Sequence, residues 1–187
     1  MIKTKKQLNE FIGYELKKYR INKLKCRIPF NFSENQTLMK FNIFLRKAEY
    51  YHNIGNKLLA RYYKFRKNRY GLKYGMQIPI NVFDKGLHIM HIGPVLVNEF
   101  AKVGKDCSIH INTGIVAGGL NSRCPVIGDG VVIGLGAIVL GDIMLADYTA
   151  IGAHSLVNKD VVEENIAVAG IPAKKISDNG SKNWNQF

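Results

Sequence analysis

A six-residue repeat of branched aliphatic residues runs through the second half of the chain. Counting in sixes from Val97 to Val157, ten of eleven positions hold Val, Ile or Leu, and only Asn121 departs from the pattern. Neither an α-helix, which repeats about every 3.6 residues, nor a β-strand, which repeats about every two, produces a period of six. This period is typical of a parallel β-helix, in which three short strands complete a triangular coil of about 18 residues.

The other places of the repeat fit the same fold. The fifth place of each hexad is mostly small or β-branched, and the second place is often glycine. Small residues suit the tight corners of a coil, and glycine adopts backbone conformations that side chains disfavour. We therefore expect a mainly β protein with a parallel β-helix over residues 76–177, in which each coil buries its aliphatic residues against its neighbours. Residues 178–187 are polar and predict a frayed tail.

The first 75 residues differ from the rest of the chain in composition and in pattern. They contain 19 Lys and Arg against 4 Asp and Glu, whereas residues 76–187 contain 8 against 10. Capping-box patterns that begin at Thr4 and Ser33 predict helix N-termini, and Gly71 is expected to end the last helical stretch. We therefore expect a basic α-helical region over residues 1–75.

The positive charge of this region is compatible with several partners. An anionic membrane surface, touched peripherally, a polyanionic glycan and a phosphorylated cofactor are alternatives to a solvated helix face. The stretch RYYKFRKNRY at 61–70 interleaves aromatic and basic residues, as nucleic-acid platforms do. Helical spacing instead favours aromatic residues packed inside beneath a basic outer face, so we expect no nucleic-acid partner.

The sequence contains few features of an exported or membrane protein. No apolar run reaches the roughly 18 residues of a membrane span, and the first twenty residues lack the apolar core of a signal peptide. Cys26, Cys107 and Cys124 lack metal-ligand spacing, and we interpret them as reduced thiols. These features predict a cytoplasmic protein without a metal site.

Three features together resemble the hexapeptide-repeat acyltransferases: the hexads, the interruption GGLNSRCP at 118–125 and the ending VAGIPAKKI at 168–176. The resemblance is to the serine acetyltransferase-like branch, which includes sugar O-acetyltransferases of bacterial capsule and O-antigen pathways. It implies a left-handed β-helix, a homotrimer and acetyl-CoA as donor. We expect an acetyl-CoA-dependent O-acetyltransferase that acts on a sugar hydroxyl of a bacterial surface polysaccharide or its precursor. The alternative is a serine O-acetyltransferase of cysteine biosynthesis.

Acetyl transfer to a hydroxyl needs a base, and histidine suits that role because its ordinary pKa lies near neutrality. His91, in GLHIMHIGP, matches the catalytic histidine of the family pattern and is the predicted general base. His110 follows 19 residues later, so a coil of about 18 residues would bring the two side chains together, and we predict it as a catalytic partner. We interpret His88 as secondary and His154 as an exposed turn residue.

Two positions depart from the serine acetyltransferase pattern. Met90 stands where that family has an aspartate that orients the histidine, and Cys124 replaces its second catalytic histidine. Both departures weigh against free serine as the acceptor. Asp84 and Glu99 are then candidates for the carboxylate that orients His91. We interpret Cys124 as a neutral loop residue rather than a nucleophile.

The resemblance also implies two groups of cofactor-binding residues. Small residues at the turns would leave room for the pantetheine arm of acetyl-CoA, namely Gly134, Gly136, Ala137, Gly152 and Ala153. The same glycines are equally compatible with a role in shaping the corners. Lys174 and Lys175 near the end of the β-helix would pair with the CoA phosphates.

Two other classes of protein remain as alternatives. A zinc β-helix hydratase would need three converging histidines, and His88, His91 and His110 supply the number but not that family's spacing. A non-catalytic scaffold would use the coils only to present a surface.

Overall fold

The structure is a computed structural model, and it describes residues 1–22, 24, 33–119 and 123–184. Three helices are described ahead of the first strand: α1 (Lys5–Lys18), α2 (Glu34–Asn53) and α3 (Lys57–Tyr74). The predicted positions Cys26 and Asn121 lie outside the described residues.

Short strands follow the helices and build three sheets. The described strands are β1 (Met76–Gln77), β2 (His88–Ile89), β3 (Val95–Val97), β4 (Lys102–Val103), β5 (Ser108–Ile109), β6 (Thr113–Val116), β7 (Val126–Ile127), β8 (Val132–Ile133), β9 (Ile138–Leu140), β10 (Met144–Leu145), β11 (Ala150–Ile151), β12 (Leu156–Val157), β13 (Ala167–Gly170) and β14 (Ala173–Ser177). The sheet orders are β1-β3-β6-β9-β12, β4-β7-β10 and β2-β5-β8-β11-β13-β14. From β2 to β12 the chain visits the three sheets in rotation, which is the triangular coil predicted from the hexads. All pairs are parallel except β13 with β14.

The pairing between neighbouring coils explains how the six-residue register survives an insertion. Val139 pairs with Val157, which is 18 residues later. Ile115 pairs with Val139, which is 24 residues later, because the interruption of the hexads at 117–125 lies between them. The extra six residues equal one hexad, so the count in sixes continues past the interruption without a change of phase.

The aliphatic residues at the first place of the hexads form the centre of the coils. All ten are at most 4% exposed: Val97, Val103, Ile109, Ile115, Ile127, Ile133, Val139, Leu145, Ile151 and Val157. Full burial of one such side chain contributes about 1.5–3 kcal/mol, so this column is a principal source of stability.

The helix boundaries agree with the sequence at the N-termini and differ at one C-terminus. The capping box at Thr4 is confirmed, because its hydroxyl accepts from the Gln7 amide at 3.1 Å and its amide donates back to the Gln7 side chain at 3.0 Å. The expectation that Gly71 ends a helix is wrong, since α3 continues to a left-handed cap at Gly75. A Cβ at Gly71 would lie 2.5 Å from the Met76 carbonyl oxygen, so glycine there permits close packing of α3 on β1.

The aromatic and basic stretch 61–70 lies on α3, and its aromatic residues are divided between two environments. Tyr63 is half-buried and stacks on Tyr51 with 5.3 Å between ring centroids. Tyr62 and Phe65 are 47% and 57% exposed, so the expectation that they pack inside is wrong. The inward face of α3 is formed instead by Ala60, Lys67 and Gly71. In the described part of the chain, no helix has the length and apolar character needed to cross a membrane.

A buried ionic cluster joins the helices to the first coil. Arg46 of α2 is fully buried and donates to Glu15 of α1 at 2.7 Å, to Glu49 at 2.9 Å and to the Phe83 carbonyl at 2.8 Å. Burial opposes the charged form of Arg46, but the charges of Glu15 and Glu49 outweigh it and raise the pKa of the guanidinium. The helices and the coils also share one hydrophobic core, so α1 and α2 are placed firmly against the start of the β-helix.

Candidate active site

The strand that leads to His91 is held from two sides. On one side lies Tyr19, the residue that caps the C-terminus of α1. Its hydroxyl accepts a hydrogen bond from the Ile89 amide at 2.8 Å and donates one to the Ile89 carbonyl at 3.3 Å. From the next coil, the Ile109 carbonyl accepts from the Met90 amide at 2.9 Å. Burial raises the pKa of Tyr19 far above its ordinary value, so its hydroxyl keeps the proton that it donates. The backbone preceding His91 is therefore well positioned.

The two histidines predicted to be catalytic lie side by side. Their ring centroids are 6.0 Å apart, and the ring planes are inclined by 43°. The side chain of His91 is 57% exposed, whereas His110 is half-buried. Burial and the neighbouring His91 lower the pKa of His110, which favours a neutral imidazole at neutral pH. The pair thus combines an accessible imidazole with a second, neutral one beside it.

Glu34, the first residue of α2, is a site residue that the sequence analysis missed. Its Oε2 lies 3.4 Å from Nδ1 of His91, and its Oε1 accepts from the Ile92 amide at 2.7 Å. An ionised carboxylate only accepts hydrogen bonds, so this pairing requires the proton on Nδ1 and leaves the Nε2 lone pair available. The capping pattern at Ser33 placed Glu34 at a helix start, but no sequence signal linked it to a residue 57 positions later.

The carboxylates expected to orient His91 are not the ones that face it. Asp84 lies at the contact with the helices, where its Oδ1 accepts from the Lys85 amide at 2.7 Å and its carbonyl accepts from Arg46 at 2.6 Å. Glu99 is exposed beyond the end of β3. Among the described residues, the carboxylate within hydrogen-bonding distance of His91 is Glu34.

His88 belongs to the contact between α1 and the first coil. Its ring packs edge-on against Tyr19, with 5.0 Å between centroids, and its Nδ1 lies 3.5 Å from the Ser108 hydroxyl. Burial, followed by the charge of Lys18, lowers the pKa of His88 to about 4. Over the residues that the structure describes, no group of three or more His, Cys, Asp or Glu is arranged to hold a metal ion.

Cys124 and Arg123 border the loop that interrupts the hexads. Cys124 is buried, and burial together with the charge of Asp142 raises the pKa of its thiol. Arg123 is exposed and pairs with Asp142 at 3.0 Å. A thiol with a raised pKa is a poor nucleophile near neutral pH, in keeping with the interpretation of Cys124 as a neutral loop residue.

The predicted cofactor glycines lie at corners where neighbouring coils come close. A Cβ at Gly134 would lie 2.5 Å from the Ile151 carbonyl oxygen, and a Cβ at Gly152 would lie 2.8 Å from the Ala169 side chain. Gly136 has φ of +68°, in the left-handed region that favours glycine. Ala137 is buried, and Ala153 is exposed. Coil stacking and turn geometry therefore account for the three glycines, and the cofactor path along them stays a prediction.

The two predicted phosphate-binding lysines differ in their surroundings. Lys175 of β14 pairs with Glu163 and with Asp178, each at 2.6 Å, and these hydrogen bonds raise its pKa. Its positive charge is already balanced in the structure. Lys174, the preceding residue of the β13–β14 hairpin, is exposed.

Several known proteins are similar to this chain in sequence or in structure. No protein-family model matches the sequence. A serine acetyltransferase of Buchnera aphidicola is 32% identical over 143 residues, which are 74% of this chain and 51% of that protein. A serine acetyltransferase of Neisseria gonorrhoeae has a solved structure that superposes with a TM-score of 0.69 and 28% identity, covering 95% of this chain and 69% of that one.

A third relative is a serine acetyltransferase of Brucella abortus in complex with coenzyme A. Its solved structure superposes with a TM-score of 0.66 and 25% identity over 95% of this chain and 69% of that one. Both comparisons thus show that the chain is similar to serine acetyltransferases in sequence and in fold. The predicted left-handed β-helix with an α-helical N-terminal region is confirmed, because the structural neighbours of this chain have that fold.

The expectation of a polysaccharide hydroxyl as the acceptor is wrong. The relatives of this chain are named serine acetyltransferases, which favours the alternative. The expectation gave weight to the loss of an aspartate at Met90, but Glu34 supplies a carboxylate beside His91 from a distant part of the chain. The chain spans about half the length of the Buchnera relative, so further parts of that protein have no counterpart in the match.

Proposed function

We propose that this chain is an acyltransferase that transfers the acetyl group of acetyl-CoA to the hydroxyl of L-serine, as in cysteine biosynthesis. The observation that carries the proposal is an exposed His91 between a carboxylate and a second imidazole, on a fold shared with serine acetyltransferases. A relative with this fold carries coenzyme A.

His91 is the general base in this proposal. With Nδ1 directed at Glu34, its Nε2 takes the proton from the serine hydroxyl as that oxygen attacks the thioester carbonyl. The new C–O bond forms, the C–S bond breaks, and the CoA thiolate takes the proton back from the imidazolium. A well-placed base accelerates such a step by about 10²–10⁴-fold. His110, held neutral by its surroundings, can donate one hydrogen bond to the acceptor or to the developing oxyanion.

The acetyl-CoA site in this proposal follows the turns that carry Gly134, Gly136, Ala137, Gly152 and Ala153. The amides of Gly134, Gly136, Ala137 and Gly152 donate to backbone carbonyls of the β-helix, so these small residues would offer room for the pantetheine arm rather than hydrogen-bond donors. Lys174 is the better placed of the two lysines for a CoA phosphate, since Lys175 would first have to leave Glu163 and Asp178.

We further propose that the active molecule is a homotrimer in the cytoplasm. The sheet β1-β3-β6-β9-β12 presents a column of residues in register, formed by Leu96, Gly114, Ile138 and Leu156. Leu96 and Ile138 are 48% and 41% exposed in the single chain. Burial of this apolar column against further copies of the chain would remove it from water.

The test is a measurement of CoA thiol release by the purified chain with acetyl-CoA and L-serine. Glycine replaces serine in a matched reaction, because it keeps the amino and carboxyl groups but lacks the hydroxyl. We expect release with serine only, and a loss of about 10²–10⁴-fold in kcat for His91→Ala. His52→Ala changes an exposed histidine of α2 and should retain the wild-type rate. Absence of serine-dependent release would overturn the proposal, and a fully active His91→Ala would remove His91 from it.

A further inference from the structure

The base of this site lacks an acidic partner in its own segment of the chain. Met90 immediately precedes His91, and its side chain neither accepts a proton nor carries charge. A neutral imidazole has two tautomers, and only the one with the proton on Nδ1 leaves Nε2 able to accept a proton. A histidine with no group to select its tautomer is a weaker base for a fixed substrate, so the site requires a partner at Nδ1.

We propose that Glu34, carried on the N-terminus of α2, is the positioning residue for His91. The inference rests on the proposed function, since it concerns the base of that reaction. It assigns to the helical region a role in positioning the base, in addition to its packing against the β-helix. Glu34 acts through His91 and is not itself assigned a contact with either substrate.

The two oxygens of Glu34 bind to adjacent parts of one segment. Oε1 accepts from the Ile92 amide at 2.7 Å, and Oε2 lies 3.4 Å from Nδ1 of His91. The hydrogen bond from the Ile92 amide fixes the carboxylate of Glu34 relative to the backbone that carries the imidazole of His91. A rotation of Glu34 away from the ring would therefore break a hydrogen bond to the backbone, which favours the orientation seen.

The start of α2 is itself held in place near this segment. Ser33 caps the helix by accepting from the Gln36 amide at 3.2 Å, and the Asn35 side chain donates to the Tyr19 carbonyl at 3.4 Å. Tyr19 in turn bonds to Ile89, two residues before His91. Glu34 is thus positioned by contacts that also position the strand leading to the base.

The surroundings of Glu34 indicate that its carboxylate acts mainly by orienting the imidazole of His91. The helix N-terminus favours negative charge on Glu34. Among the residues that the structure describes, Glu34 from α2 and His110 from the next coil face the ring of His91. The side chain of Glu34 is 43% exposed, so solvent screens its charge and the selection of the Nδ1–H tautomer is the larger effect.

The test compares Glu34→Gln with Glu10→Gln. Both change one carboxylate of a helix to an amide, but Glu10 pairs with Lys85 at 2.8 Å and belongs to α1. In Glu34→Gln the amide nitrogen can donate to Nδ1, which favours the wrong tautomer. We expect kcat to fall about 10- to 100-fold with the KM for serine nearly unchanged. Glu34→Asp keeps the charge on a shorter side chain and should recover part of kcat.

A nuclear magnetic resonance measurement of the His91 tautomer tests the same inference without activity. Nitrogen-15 shifts should report Nδ1–H in the wild type and in Glu10→Gln, and a shift towards Nε2–H in Glu34→Gln. An unchanged tautomer overturns the role of Glu34 even if serine is acetylated. Lack of activity with serine together with the expected tautomer change would overturn the proposed function alone. A raised KM with unchanged kcat in Glu34→Gln would make Glu34 a substrate-binding group and also overturn the inference.

Discussion

Three histidines of similar sequence context lie in three different environments. His88 packs against Tyr19 at the helix contact, His91 is exposed beside Glu34, and His110 is half-buried next to His91. The sequence distinguished His91 from His88 by the resemblance and by the opposite sides on which residues three apart lie in a strand. The structure supplies the physical difference, because only His91 combines accessibility with a carboxylate at Nδ1.

The half-buried His88 should make the stability of the protein depend on pH. The pKa of His88 is lowered to about 4 in the folded chain, whereas its ordinary value is near 6.5. Between these two pH values the imidazole is protonated in the unfolded chain and neutral in the folded chain. The contribution of the neutral His88 to the free energy of unfolding is therefore fully present above about pH 6.5 and is lost progressively towards pH 4. We expect His88 to account for about 1 kcal/mol of the loss between pH 7 and pH 5, less than the full shift because the ring is partly exposed.

Urea unfolding of His88→Phe at both pH values measures this contribution. Phenylalanine keeps an aromatic ring against Tyr19 but cannot bind a proton, so its stability should fall less on acidification than that of the wild type. His52→Gln, which removes an exposed histidine, should keep the wild-type dependence. An equal loss in His88→Phe and in the wild type would contradict the assignment.

A buried cation, Arg46, takes part in the docking of α1 and α2 onto the first coil. Arg46 is the shared partner of Glu15 and Glu49, and it also binds the backbone at Phe83. Glu15 additionally accepts from the Gly86 amide at 3.3 Å, so the same cluster reaches the segment just before His88. Through α2, this cluster also places Glu34, which links the packing of the helices to the geometry of the proposed base.

Removal of this cation should be costly for stability. In Arg46→Met, Glu15 and Glu49 are left buried without their partner, and we expect a loss of about 3–5 kcal/mol in the free energy of unfolding. Lys85→Met, which breaks the solvent-exposed pair with Glu10, should cost less than about 1 kcal/mol. Urea unfolding compares the two variants. A triple change of Arg46→Met with Glu15→Gln and Glu49→Gln should recover part of the loss. Equal stability of Arg46→Met and Lys85→Met would contradict this account.

The assembly of the molecule should depend on the outward column of the sheet that begins with β1. A glutamate in place of the half-exposed Ile138 would put charge into the proposed contact between copies, while the inward Val139 beside it still fills the core. We expect the wild type to show three times the chain mass of 21.1 kDa by light scattering. Ile138→Glu should shift towards the single chain with an unchanged circular-dichroism spectrum. A wild type that remains a single chain at high concentration would contradict the trimer.

The β-helix was predictable because its information is local and repeated. Each hexad specifies an inward aliphatic residue and a corner, and each coil contacts only its neighbours, so the count in sixes carries over directly to the buried column. The same logic brought His91 and His110 together, since residues about one coil apart become neighbours. The extent of α3 was less predictable, because the close approach of Gly71 to Met76 belongs to tertiary packing rather than to helix propensity.

The amino-acid order of this chain therefore contains the coil, its inward residues, two helix starts and the pair of imidazoles, which follow from periodicity, from capping patterns and from residues about one coil apart. The folded arrangement adds the contact of Glu34 with His91 and the burial of Arg46 between α1, α2 and the first coil. These contacts join residues on separate elements, and their geometry depends on how the helices dock. No local pattern encodes that docking, because it results from shape and charge matching between surfaces that exist only after both parts have formed.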